Sequence, residues 1–102
     1  MALRVDEDGL LVFAAANDQV AGEVEAGCQP DPELIAQMVT GYGPVGAEFT
    51  AAVADFQAAF HQSGTALARR FSAHAEDIRA AHGRYVDADQ SGADRVAGSS
   101  SV

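Results

Sequence analysis

The sequence predicts an all-α fold: an antiparallel helical hairpin that pairs into a four-helix bundle. Three observations carry this. Apolar residues recur at the period of a straight helix over most of the second half. A shorter helical stripe runs through the first quarter. All three prolines, and a glycine-rich turn, fall between the two. The hairpin domain covers residues 1–89, and residues 90–102 are expected to be a flexible tail.

Helix one is placed at about residues 6–27. Asp6 is a good N-cap, and Glu7 and Asp8 fall in the first turn, where negative charge complements the helix dipole. Leu10, Phe13, Ala14, Val20, Ala21 and Val24 follow at helical spacing. Asn17 interrupts that stripe. Gly27 suits a helix end, and Pro30 and Pro32 forbid continuation.

The connector is residues 28–47. Asp31-Pro32-Glu33 reads as a fresh helix start, with Pro at the first helical position, and a turn or two through Leu34, Ile35, Met38 and Val39 follows. Gly41, Tyr42, Gly43 and Pro44 then form the inter-helix turn, continued by Val45 and Gly46.

Helix two is placed at about residues 48–89. Phe49, Val53, Phe56, Phe60, Ser63, Leu67, Phe71, His74, Ile78, Ala81 and Tyr85 span 36 residues in ten steps, a mean of 3.6. That is the α-helical period, against 3.5 for a strict heptad. A helix of about 40 residues is on the order of 60 Å long. Gly64 lies inside it and marks a bend in the expected rod, at a cost of up to ~1 kcal/mol. The Ser-, Gly- and Ala-rich stretch from Gln90 has no periodic apolar pattern, hence the expected tail.

Composition narrows the function classes. The formal net charge is -9. Residues 1–55 hold ten acids and one Arg; residues 56–102 hold five of each, and there is no Lys. So acidic a chain lacks the phosphate-binding footprint of a nucleic-acid partner and avoids anionic membrane surfaces. No stretch approaches the ~20 apolar residues of a membrane span, and no Sec signal peptide is recognisable at the start. On these signs alone the chain reads as cytosolic.

Two helices that fold back on each other bury one stripe of each. The Phe, Leu and Val on the second flank stay wet, and isolated helices are marginal without tertiary packing. An association face is therefore expected: Leu10, Phe13, Val20 and Val24 on helix one, and Phe49, Val53, Phe56, Phe60, Leu67, Phe71 and Ile78 on helix two. The partner is a second copy or another helical hairpin.

Catalytic chemistry finds little support. Gly41-x-Gly43-x-x-Gly46 matches a dinucleotide-binding pattern, which works only after a strand in a βαβ unit; here it reads as a turn. His61, His74 and His82 lie thirteen and eight residues apart, not the three or four of a helical metal site, so no metal and no cofactor are expected. Cys28 has no basic neighbour to lower its thiol pKa; it reads as a surface thiol able at most to pair between molecules. Glu76 and Asp77 read as a solvated face. No catalytic constellation stands out, and no enzyme is expected.

Tyr85 and Asp89 differ. They lie four apart, on one helical face near the end of helix two, and offer one ring to bury and one acceptor to pair. A chain of about 100 residues, helix–turn–helix, with a Gly/aromatic turn (Thr40-Gly41-Tyr42-Gly43-Pro44), a Phe opening helix two (Phe49) and Tyr-x-x-x-Asp near its end resembles the small substrates of type VII (ESX) secretion. These form the WXG-like superfamily, and the chain is most similar to its EspC-like members. Tyr42 is the nearest aromatic to the missing Trp. The resemblance implies a non-enzymatic secreted substrate or co-substrate, made in the cytoplasm and exported without a Sec leader. It implies a homodimer or a pairing with a related hairpin. It also implies that Tyr85 and Asp89 form a secretion signal read by the secretion machinery and its ATPase. The alternative is a cytosolic adaptor or chaperone-like hairpin that binds a larger partner.

Overall fold

A computed structural model describes residues 7–100, with side chains as far as Gly98. In chain order they form α1 (Glu7–Gly27), α2 (Pro32–Tyr42), a 3-10 turn (Gly43–Gly46) and α3 (Ala47–Ser100). No strand occurs among the described residues.

Glu7 and Asp8 occupy the first turn of α1; the expected cap, Asp6, lies outside the described residues. The covered row of α1 is Leu10, Ala14, Asn17, Ala21, Val24 and Cys28, in strictly alternating steps of four and three. Asn17 is buried in this row without penalty, because its Nδ2 donates to the Phe13 carbonyl at 2.9 Å. Asp31 caps α2 by accepting from the Leu34 N–H at 3.0 Å, with Pro32 in the first turn. Gly43 ends α2 at φ 60°, the left-handed region that glycine enters at no steric cost. A side chain at Gly46 would collide with Tyr42, so the 3-10 turn closes only with glycine there.

The architecture corrects the expected one. The fold is all-α, but the described residues form neither an antiparallel helical hairpin nor a four-helix bundle. One helix of 54 residues, α3, carries the structure. The connector is largely helical, because the Asp31 cap and Pro32 start a helix that runs 11 residues rather than a turn or two. Gly41 and Tyr42, expected in the inter-helix turn, are the last residues of α2. Residues 90–100, expected as part of a flexible tail, continue α3. Gln90 donates to Asp94 one turn on at 3.1 Å, the kind of i,i+4 pair that supports an exposed helix.

The chain divides into two compact units. The central unit, residues 20–70, is built on small side chains. Ala21, Cys28, Met38, Thr50 and Ala68 are buried in it, and none of its large side chains is fully so. Cys28 and Gly64 meet so closely that a Cβ on Gly64 would run into the Cys28 side chain. Gly64 therefore serves close packing, and α3 passes through it as continuous helix. The terminal unit joins residues 7–19 to 71–100. Ala14 and Ala75 are its most deeply buried residues, and Arg79 pairs with Asp18 across it.

Candidate functional site

Three surfaces of the two units bear on function. The first is the C-terminal part of α3. Tyr85 and Asp89 are both exposed, one turn apart on that helix. Asp89 also meets the start of α1. The Glu7 carboxyl is held above the ordinary carboxylate range, chiefly by a hydrogen bond shared with Asp89, then by slight desolvation and the Asp89 charge; His82 opposes the shift and Asp8 adds to it. Two carboxyls that share a hydrogen bond favour one retained proton. Asp89 thus has its own carboxyl neighbour in addition to Tyr85.

The second surface is the aromatic flank of α3 in the central unit. Phe49, Phe56, Phe60 and Leu67 are 43–67% exposed. The Phe56 and Phe60 rings stack at 5.9 Å between centroids, and Phe49 meets Tyr42 edge-on at 6.0 Å. The covered row lies one position away: Thr50, Gln57, His61, Gly64 and Ala68. Of the other residues expected on an association face, Phe13 is exposed, whereas Leu10, Val20, Val24, Val53, Phe71 and Ile78 are half-buried. The bulk that periodicity places on one face is therefore split between a covered edge and an open one.

The third surface was not foreseen. An open apolar groove of about 480 Å³ lies between α2 and α3, lined by Ile35, Val39, Gly43, Pro44, Ala47, Thr50, Ala51 and Ala54. A second hollow of about 450 Å³ continues from the shared Ile35 and Ala54 past Pro30, Pro32, Gln57 and Ala58 to His61. Its sequence signal was the small-residue row Ala47, Ala51, Ala54, Ala58, which is legible only once Ile35 and Val39 are known to stand on a helix.

The remaining candidates hold structural positions. Cys28, expected at the surface, is buried; its Sγ lies 3.4 Å from the Glu25 carbonyl and 3.7 Å from that of His61. The helix packing around Gly64 covers it. His61 Nδ1 is 3.3 Å from the Cys28 carbonyl, so the side chain of each residue meets the backbone carbonyl of the other. His74, expected on the apolar stripe, is exposed, and the next residue, Ala75, takes the buried place. Among the described residues no group of three or more His, Cys, Asp or Glu side chains is placed to hold a metal ion. The Gly41-x-Gly43-x-x-Gly46 pattern joins two helices, so the strand that a dinucleotide loop needs is not there. No helix among the described residues is long and apolar enough to cross a membrane.

Residues 1–98 match a family described as excreted virulence factor EspC, type VII ESX diderm. No curated protein and no solved structure matches significantly.

Proposed function

The chain belongs to the EspC family of type VII (ESX) secretion, and from that membership we propose that it is a non-enzymatic exported substrate or co-substrate working through helix-mediated association. The family is one of excreted virulence factors. Tyr85 and Asp89 are the export signal in this reading. The observation that carries it is their placement: both are exposed, one turn apart, on a continuous helix. A reader such as the secretion ATPase would then meet a ring and a carboxylate already fixed in spacing, without first ordering a loop. The ordering entropy that a flexible signal would cost on binding is avoided.

Association is assigned to the aromatic flank. Exposed Phe49, Phe56 and Phe60 supply the aromatic anchors typical of interface centres, with the exposed aliphatic Leu67 beside them. The occupant is a second copy or a related helical co-substrate.

Export is measured by comparing cell lysate with culture filtrate for the natural chain, Tyr85→Ala and Asp89→Ala. Each substitution is expected to leave the protein in the lysate while its helical circular dichroism is unchanged. Export of both variants at the natural level would remove the signal assignment. Retention of the natural chain in the lysate would favour the cytosolic adaptor.

A further inference from the structure

The groove between α2 and α3 is separate from the aromatic flank. At about 100° per residue, Phe49, Phe56 and Phe60 lie roughly 140° around α3 from Ala54, the residue shared by both hollows. A partner on one surface therefore leaves the other open.

We propose that this groove receives an amphipathic helix of a partner polypeptide whose apolar stripe is flanked by Lys or Arg. Its walls are Ile35, Val39 and Pro44 on one side and Ala51, Ala54 and Ala58 on the other. The small residues leave room for the guest's side chains, and the branched ones give them apolar contact. Thr50 lies in the floor, 7% exposed, and its hydroxyl has no hydrogen-bond partner. A buried hydroxyl left without a partner is unfavourable, and Thr50 is the single polar side chain lining this first hollow. The groove is long and open and has few polar groups. That suits a helix laid lengthwise better than a small molecule, which needs enclosure and several fixed polar contacts.

Charge selects the guest. Glu48 and Asp55 stand seven residues apart on the exposed side of the alanine wall, and Asp31 and Glu33 stand at the start of α2. No Lys or Arg occurs between Arg4 and Arg69, so the sequence around the groove supplies no cation to balance these acids. A second copy that met this groove with its own would set acid against acid. A helix with basic flanks would instead meet the carboxylates of Glu48 and Asp55, with Asp31 at the groove's far end, and would be drawn in at low salt.

The proposal takes from the functional reading only that the chain acts by association; export is tested separately through Tyr85 and Asp89, so either can fail alone. The probe is a fluorescent peptide of ~18 residues, long enough for several turns, with Leu on one face and Arg beside it. A second peptide has Glu in place of Arg. Anisotropy with the full chain is expected to show saturable binding of the Arg peptide, and binding of the Glu peptide at least ~10-fold weaker, a factor worth about 1.4 kcal/mol. Ala54→Leu, which fills the groove, should weaken the Arg peptide by a similar factor. The double variant Glu48→Lys with Asp55→Lys changes only exposed side chains, so it keeps the test open if Ala54→Leu does not fold; it should reverse the preference. Three outcomes overturn the proposal: no saturable binding of the Arg peptide, equal binding of both peptides, or self-association of the natural chain that Glu48→Lys with Asp55→Lys alters and the Arg peptide does not compete with.

Discussion

The central and terminal units are built on different physics. In the central unit Cys28 lies against Gly64, with Ala21 and Ala68 buried nearby in the same unit. Its contact is steric: small side chains admit a close approach, and dispersion between well-packed atoms follows from it. The terminal unit has a short alanine core, Ala14 and Ala75, and its contacts at the surface are polar: the ion pair of Asp18 with Arg79, and the proton-dependent hydrogen bond of Glu7 with Asp89. Exposed ionic contacts are weak and screened by salt. The central unit should therefore set global stability, while the unit that bears Tyr85 and Asp89 responds to solution conditions.

The sharpest way to break this contrast is at glycine. Gly64→Leu places bulk where the Cys28 side chain already lies, and should cost ~3 kcal/mol in urea unfolding, the upper range for overpacking. Gly83 in the terminal unit has open space around it, and Gly83→Ala should add up to ~1 kcal/mol through helix propensity alone. Similar responses at the two positions would erase the distinction between the units.

Charge gives a smaller effect. Asp18 and Arg79 are 44% and 45% exposed, so Arg79→Ala should cost under ~1 kcal/mol and nothing measurable in high salt. A salt-insensitive loss would mean that the alkyl stem, not the charge, carries the contact. The smallest effect belongs to Glu7. Its folded-state pKa is raised by Asp89, so the folded chain holds this proton more tightly than the unfolded one. The resulting stability is fully present below the unfolded carboxylate pKa and is lost as pH rises through the higher, folded value. Hydrogen exchange at the start of α1 should accelerate over that window, and Glu7→Gln should flatten the response.

Much of this was legible in the sequence, and the exceptions share a cause. The period through Phe49 and Tyr85 marked α3, because an uninterrupted apolar row of 3.6 spacing has no competing reading at that length. Asp31 and Pro32 marked the start of α2 through cap chemistry. The covered row was missed by one residue at Phe49, Phe56, Phe60, Leu67 and His74, whereas Val53, Phe71 and Ile78 are half-buried. Periodicity weighted by hydrophobicity follows Phe49, Phe56, Phe60 and Leu67, whereas close helix contact selects Gly64, Ala68 and Ala75, which carry little hydrophobic signal. Nothing local to Gly64 says that Cys28 will lie against it. The same blindness hid the groove, whose alanine wall has meaning only opposite Ile35 and Val39. The tail was misread because Ser and Gly suggest a coil, while Gln90, Ala93, Asp94, Arg95 and Ala97 are compatible with continuing a helix already more than ten turns long, where no new nucleation is needed. The spacing of Tyr85 and Asp89, the proposed signal, is visible in the sequence; the proximity of Glu7 to Asp89 is not, since 82 residues separate them.

Cys28 is the sole cysteine and is sealed at 2% exposure. An alkylating reagent reaches its sulfur only when the close contact at Gly64 parts. The labelling rate is consequently a clock for how often the middle of the molecule breathes, with no foreign reporter inserted.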